Sequence, residues 1–220
     1  MPGLWHADPR HLGIAGRGVI LGGVVLPHPP IILAEHASQR GAEVDGTIAA
    51  VERACAWLAE RRPDGIVISS PHPRHGFDVP LSFLARHLPR ALPTERVLTD
   101  DPSYAHYRDL GRALRRREEA KAARTAVVAS GDLSHRLREE GPYGYHPRGP
   151  ELDAAILAAV RAADVDALIA IDPAVVEDGA ECGLRSFIFG LAALAPATVD
   201  VLSYEGPYGV GYMVATVAPG

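Results

Sequence analysis

The sequence predicts an α/β protein. A three-layer α/β/α single domain should span residues 19–220 around a central sheet that is mostly parallel or mixed, behind an irregular arm over residues 1–18. Three observations lead there. Short apolar runs alternate with segments of helical periodicity, the order that builds sheets covered by helices. The apolar runs lack polar alternation, so both faces of their strands should be buried. Over 220 residues there is no linker and no long-period repeat, which fits one sizeable core.

Taken in order, Val19–Leu26 (VILGGVVL) reads as a buried strand stopped by Pro27-His28-Pro29-Pro30. From about Val44 to Arg62, Ile48, Val51, Cys55 and Leu58 recur at helical spacing, and Pro63 ends the segment. Gly65–Ser70 (GIVISS) is a second strand, broken by Pro71-His72-Pro73, and a short strand is expected near Arg96–Leu98. Asp101-Pro102 supplies a cap and a first-turn proline for a helix to about Ala120. Ala126–Ala129 is another buried strand, leading into SGDLSHRL. Glu151 to Ile171 is helical with a break near Asp164, and Glu181–Leu194 is helical with Leu184, Phe187, Ile188 and Leu191 on its apolar side. Val199–Ser203 and Val210–Val217 are closing strands.

Composition narrows the function. A formal net charge of −5 and a pI near 6.0 give no reason to expect nucleic acid. Arg115-Arg116-Arg117 is followed at once by Glu118-Glu119, the pattern of a solvated helix face. Two cysteines, Cys55 and Cys182, exclude a disulfide framework, fit a reducing compartment, and form no CxxC zinc spacing. The N-terminal stretch reads neither as a signal peptide nor as a membrane span, so a cytoplasmic protein is expected.

Ten histidines are the unusual feature. Three expected strands end in a histidine-bearing turn: LPHPP with His28, SSPHPRH with His72 and His75, and SGDLSHRL with His135. Ligands in open α/β sheets bind beyond strand C-termini, so these turns can share one edge, provided the strand order brings them together. Prolines flank both His28 and His72, fixing φ and stiffening the turn as a metal ligand requires. His6, His11, His36, His87, His106 and His146 read as ordinary loop or surface groups. A third ligand is needed, and Glu181 in GAECGLRS is the carboxylate selected; its alternative is a first-turn glutamate favoured by the helix dipole. Two histidines and a carboxylate with open positions form the triad of non-haem Fe(II) oxygenases. Zinc hydrolases use the same set, so the ligands alone leave the reaction open.

The motifs LPHPPI, ISSPH, SGDLSHRL, AECGLRS and SYEGPYGVGYMVA, in this order, resemble the class III extradiol ring-cleavage dioxygenases. They are most similar to the LigB-like branch that includes the Memo-type proteins, over about Val19 to Val217. The resemblance implies His28, His72 and Glu181 as metal ligands, and His135 as an acid–base group beside the metal. It implies Asp132 as a group orienting that site, and leaves His75 without a firm counterpart, near the metal or on the substrate side. It implies Fe(II), with Zn(II) or Mn(II) as alternatives, a catechol-like aromatic substrate with O2, and a homodimer; from charge and hydropathy no nucleic acid or membrane partner is expected. Two other readings stay open: a Memo-like metal-binding or partner-binding protein without ring cleavage, and a zinc hydrolase.

Overall fold

The computed structural model describes residues 19–121 and 123–220, and the arm expected over 1–18 lies outside the described residues. Six strands form one sheet: β1 (Val19–Leu26), β2 (Gly65–Ser70), β3 (Thr94–Leu98), β4 (Arg124–Ser130), β5 (Ala197–Glu205) and β6 (Tyr212–Pro219). Their order is β3-β2-β4-β1-β6-β5. The first four are parallel, and β6 runs antiparallel to both β1 and β5. The expected three-layer α/β/α architecture with a mixed sheet is the one observed.

Helices α1 (Asp45–Ala59) and α2 (His75–Ala85) cover one face, where Val24, Leu26, Ile66, Ile68, Ala126, Val128 and Val214 point. The other face carries α3 (Tyr104–Glu119), α4 (Arg148–Arg161), α5 (Val165–Ile169), α6 (Pro173–Gly179) and α7 (Leu184–Leu194). Val25, Val67, Val127, Ala129, Met213 and Ala215 point to this second layer, one residue out of phase with the first set. The period of two in each strand therefore feeds two separate cores, which is why these strands read as continuous apolar runs. In β1 the phase changes at a bulge: Ile20 faces Thr125 but Gly22 faces Ala126, leaving Leu21 as an extra residue.

Several boundaries differ from the sequence expectation for identifiable reasons. The cap of α3 is Ser103, whose Oγ accepts from His106 N at 3.3 Å. Asp101 instead accepts from Ser103 N at 2.7 Å, in the turn before the helix. The expected break at Asp164 is real, and Asp164 caps α5 by accepting from Ala167 N at 2.9 Å. Helix α6, capped by Asp172 and opened by Pro173, lies in the stretch between two expected helices and was not anticipated. Helix α2 was not anticipated, because Gly76 and Pro80 both depress helix propensity. Burial of Phe77, Val79, Phe83 and Leu84 against the sheet and α1 outweighs that local preference.

The strand order sets the position of the site. Strands β2, β4 and β1 are adjacent, with β4 in the middle, so the turns after Ser70, Ser130 and Leu26 leave the sheet side by side. The turn after β4 is then fixed by hydrogen bonds to two other loops. Leu133 N donates to Gly211 O at 2.8 Å, Gly211 N to Ser134 O at 2.8 Å, and His135 N to Ala180 O at 3.2 Å. Beneath it lies Asp153 of α4, 1% exposed, which accepts from Ser134 N at 2.7 Å and from the Tyr204 hydroxyl at 2.6 Å.

Burial pushes the Asp153 carboxyl up to about 6, against the lowering effect of these two donors. Between the ordinary carboxylate range and pH 6 the folded protein thus keeps a proton that the unfolded chain releases. The contribution of this group to stability is full below about pH 4 and is lost as pH rises through 6. Urea unfolding of the wild type should show a decline between pH 4 and pH 7 that exceeds that of Asp153→Asn by on the order of 1–3 kcal/mol. Parallel pH curves for the two proteins would refute this reading.

Candidate metal centre

His28 is held from both its backbone and its ring. It is only 2% exposed, and its N–H donates to Asp132 Oδ1 at 3.0 Å. Ring Nδ1 lies 2.9 Å from Ser130 Oγ, and that hydroxyl donates to Gly76 O at 2.5 Å. Proline at position 80 has no N–H, so the Gly76 carbonyl one turn earlier lacks its helical donor and is available to Ser130. Because the single hydroxyl proton goes to Gly76, Nδ1 must carry the ring proton and donate to Ser130 Oγ. That assigns the tautomer and leaves the Nε2 lone pair free. Nε2 is 3.6 Å from Cys182 Sγ and 3.9 Å from Asp132 Oδ2. Burial, with His72 and His75 adding to it, pushes the His28 imidazole down to about 3, so it is neutral.

His72 follows β2, and Ser70 Oγ fixes its backbone by accepting from His72 N and donating to His72 O, both at 3.1 Å. Its ring centroid is 5.2 Å from that of His28. Burial and neighbouring His75 hold its pKa below the ordinary histidine value, partly opposed by Asp132. His75, the exposed first residue of α2, places its ring 4.9 Å from His72 and 5.3 Å from His28. The residues expected beyond β1 and β2 therefore meet at one edge.

Asp132 and His135 stand beside this cluster. Asp132 is 6% exposed, and burial pushes its carboxyl up to about 6, against the lowering by the His28 N–H and His135. The His135 ring packs on Tyr143 at 5.1 Å between centroids, and its Nε2 is buried with no hydrogen-bond partner among the described residues. Burial lowers its pKa, opposed by Asp132. This histidine therefore presents an unused ring nitrogen.

The two residues of the AEC segment take different places. The Glu181 carboxylate turns back onto its own helix: Oε2 accepts from Leu184 N at 2.5 Å, and α7 begins only at Leu184. Burial pushes this carboxyl up to about 7. Glu181 thus takes the helix-start role named as its alternative, and it forms no compact ligand group with His28 and His72. Cys182 is the neighbour that does. Ligand atoms of His28, His72 and Cys182 lie within 4.8 Å of one another, and those of Asp132, His135 and Cys182 do likewise. Its sulfur accepts from Asp132 N at 3.4 Å. The placement depends on two glycines, since a Cβ on Gly131 would sit 2.2 Å from Gly183 Cα. The SGD and ECG turns touch backbone to backbone, and this contact brings the thiol under His28.

The donor set fits a transition metal. Two neutral imidazoles and a thiol, His28 buried and His72 and Cys182 half-buried, are ligands that copper, zinc and iron accept. Burial pushes the free Cys182 thiol up, and a bound cation would favour its thiolate form. Cys182 was not singled out from the sequence. The only signal for it was its place beside Glu181, ahead of a glycine.

Comparison with known proteins places the chain in a family. Residues 72–215 match the family described as the catalytic LigB subunit of aromatic ring-opening dioxygenase. His28 precedes the matched stretch. Protein CA_C1420 of Clostridium acetobutylicum is 37% identical over 145 residues, a match covering 64% of this chain and 30% of that protein. The chain thus corresponds to under a third of that relative's length. The crystal structure of uncharacterized protein JW3007 from Escherichia coli K12 superposes with a TM-score of 0.56 at 13% identity, covering 90% of this chain and 99% of the other. At that identity the likeness establishes the fold alone. With the LigB match extending over more than half of its length, the chain belongs to the LigB family of aromatic ring-opening dioxygenase catalytic subunits.

Proposed function

We propose that this protein binds a transition metal through His28, His72 and Cys182 and uses it to open a catechol-like ring with O2, with His135 as the acid–base group. The observation that carries the proposal is His135 Nε2, buried and unpartnered among the described residues, beside a compact group of imidazole and thiol ligands. A structural histidine in such a place would find a partner; a catalytic one keeps its nitrogen for the substrate.

When bound, the metal supplies charge that acidifies a chelated diol and a position where O2 meets the ring. The chain's own residues do the rest. The His135 ring accepts the proton that a substrate hydroxyl gives up and can return it as the ring opens. Tyr143, against its other side, limits its rotation. Asp132 holds the His28 backbone and faces the Nε2 edge of that ring, so it fixes the geometry between the ligand and the acid–base group. Both atoms of O2 end in the ring-opened product, so the reaction needs no external reductant.

Cys182 supports a second reading. A thiolate in place of a carboxylate shifts preference from Fe(II) or Mn(II) toward softer ions such as Cu(I) or Zn(II). That favours a Memo-like metal-binding protein without ring cleavage. The full chain, reconstituted anaerobically with Fe(II) and separately with Zn(II) and Cu(I), can be given a panel of catechols while oxygen uptake is followed. Uptake with a coloured ring-fission product, dependent on iron, supports ring opening; tight binding of a soft ion with no uptake on any catechol supports the second reading. In the first case, His135→Ala should retain metal and lose turnover by about 10²- to 10⁴-fold.

Ser130→Ala should retain the fold and lower metal affinity by about 10- to 100-fold, because the His28 ring loses the acceptor that sets its tautomer. Chelator competition reads this directly. Unchanged affinity would show that Ser130 does not orient the ligand.

A further inference from the structure

We propose that Arg185 forms a subsite for a carboxylate carried by the aromatic substrate, so that the ring to be opened is a catechol bearing an acid group. The inference rests on the ring-opening reading above and names its substrate class. Its basis is a cation left without an anion. Arg185 is half-buried, its Nε is buried without a hydrogen-bond partner, and no ion pair engages its guanidinium among the described residues. Buried donors are normally satisfied, and an unpaired charge out of water keeps its full desolvation cost.

The position adds to that cost. Arg185 lies in the first turn of α7, where the helix dipole disfavours positive charge. Glu181, four residues earlier, is the obvious partner, yet its Oε2 accepts from Leu184 N instead. The guanidinium carbon stands 5.4 Å over the ring of Tyr104 at the start of α3, near the limit of about 6 Å for a cation–π contact. Such a contact engages the face of the guanidinium and leaves its N–H edge for an acceptor in the plane.

This cation flanks the metal-binding group. Arg185 follows Cys182 by three residues, and Ser186 Oγ donates to Ser69 O at 3.0 Å, fixing the first turn of α7 against the end of β2. His72 leaves the same strand end. Thr99 N donates to Ser70 O at 2.8 Å, which brings the connection from β3 to Tyr104 alongside. Thr99, 2% exposed, has a second buried and unpartnered atom on this flank, Oγ1. A carboxylate on a ring chelated at His28, His72 and Cys182 meets the guanidinium fork with two parallel charge-assisted hydrogen bonds, a match that a neutral substituent cannot make.

The test is calorimetric binding to the full chain loaded anaerobically with Fe(II). The probes are a catechol bearing an acetate side chain and the same catechol bearing the acetamide; the methylene keeps the diol alike in both. Wild type should bind the acetate at least about tenfold more tightly than the acetamide. Arg185→Met should retain Fe(II) affinity in chelator competition, remove that preference and leave acetamide binding unchanged. Arg136→Met, which replaces the other arginine with a buried, unpartnered Nε, should keep the preference. Equal binding of the two probes by wild type would overturn the subsite without recourse to any variant. A preference that survives Arg185→Met, or that Arg136→Met removes, would overturn it too. In each of these cases both catechols still bind, and the ring-opening reading stands. If wild type binds neither probe, that reading fails and the subsite falls with it.

Discussion

The site depends on one hydroxyl group. Ser130, the last residue of β4, donates to Gly76 O and accepts from His28 Nδ1, so it joins the middle strand, the turn after β1 and the first turn of α2. The Gly76 carbonyl is available because Pro80 cannot supply the helical N–H. A helix that propensity disfavours thus provides the acceptor that sets the direction of a hydroxyl, and through it the tautomer of a buried histidine. With His28, Ser130 and Gly76 all buried, neither the carbonyl nor the ring could lose this partner cheaply.

The topology makes such a junction available. With β4 between β2 and β1, three strand ends deliver their turns to one edge, and the antiparallel β6 lets Gly211 pin the fourth side. The SGD and ECG turns then meet without side chains between them, at Gly131 and Gly183. Any larger residue at the contact would push Cys182 away from His28. Here the chemistry of the donor set follows from a backbone packing constraint.

Much of the fold was legible in the residues. Strands β1 and β2 have the expected limits because glycine, proline and serine bound each apolar run sharply. Helix α2 was hidden because its local signals oppose helix and its stabilisation comes from Phe77, Phe83 and Leu84 packing on distant strands. The histidine turns could be seen, whereas their convergence follows from long-range pairing that no local pattern encodes. Glu181 and Cys182 mark the limit most clearly. Successive residues in an irregular segment point in different directions, so spacing could nominate the segment but could not say which of the two side chains joins His28 and His72.

That choice is the central claim, and X-ray absorption on the metal-loaded full chain tests it most directly. With Zn(II) bound, the nearest scatterers should include one sulfur at about 2.3 Å together with nitrogens at about 2.0–2.1 Å. A shell of nitrogen and oxygen alone, with no sulfur contribution, would contradict the assignment of Cys182 and return Glu181 to the metal.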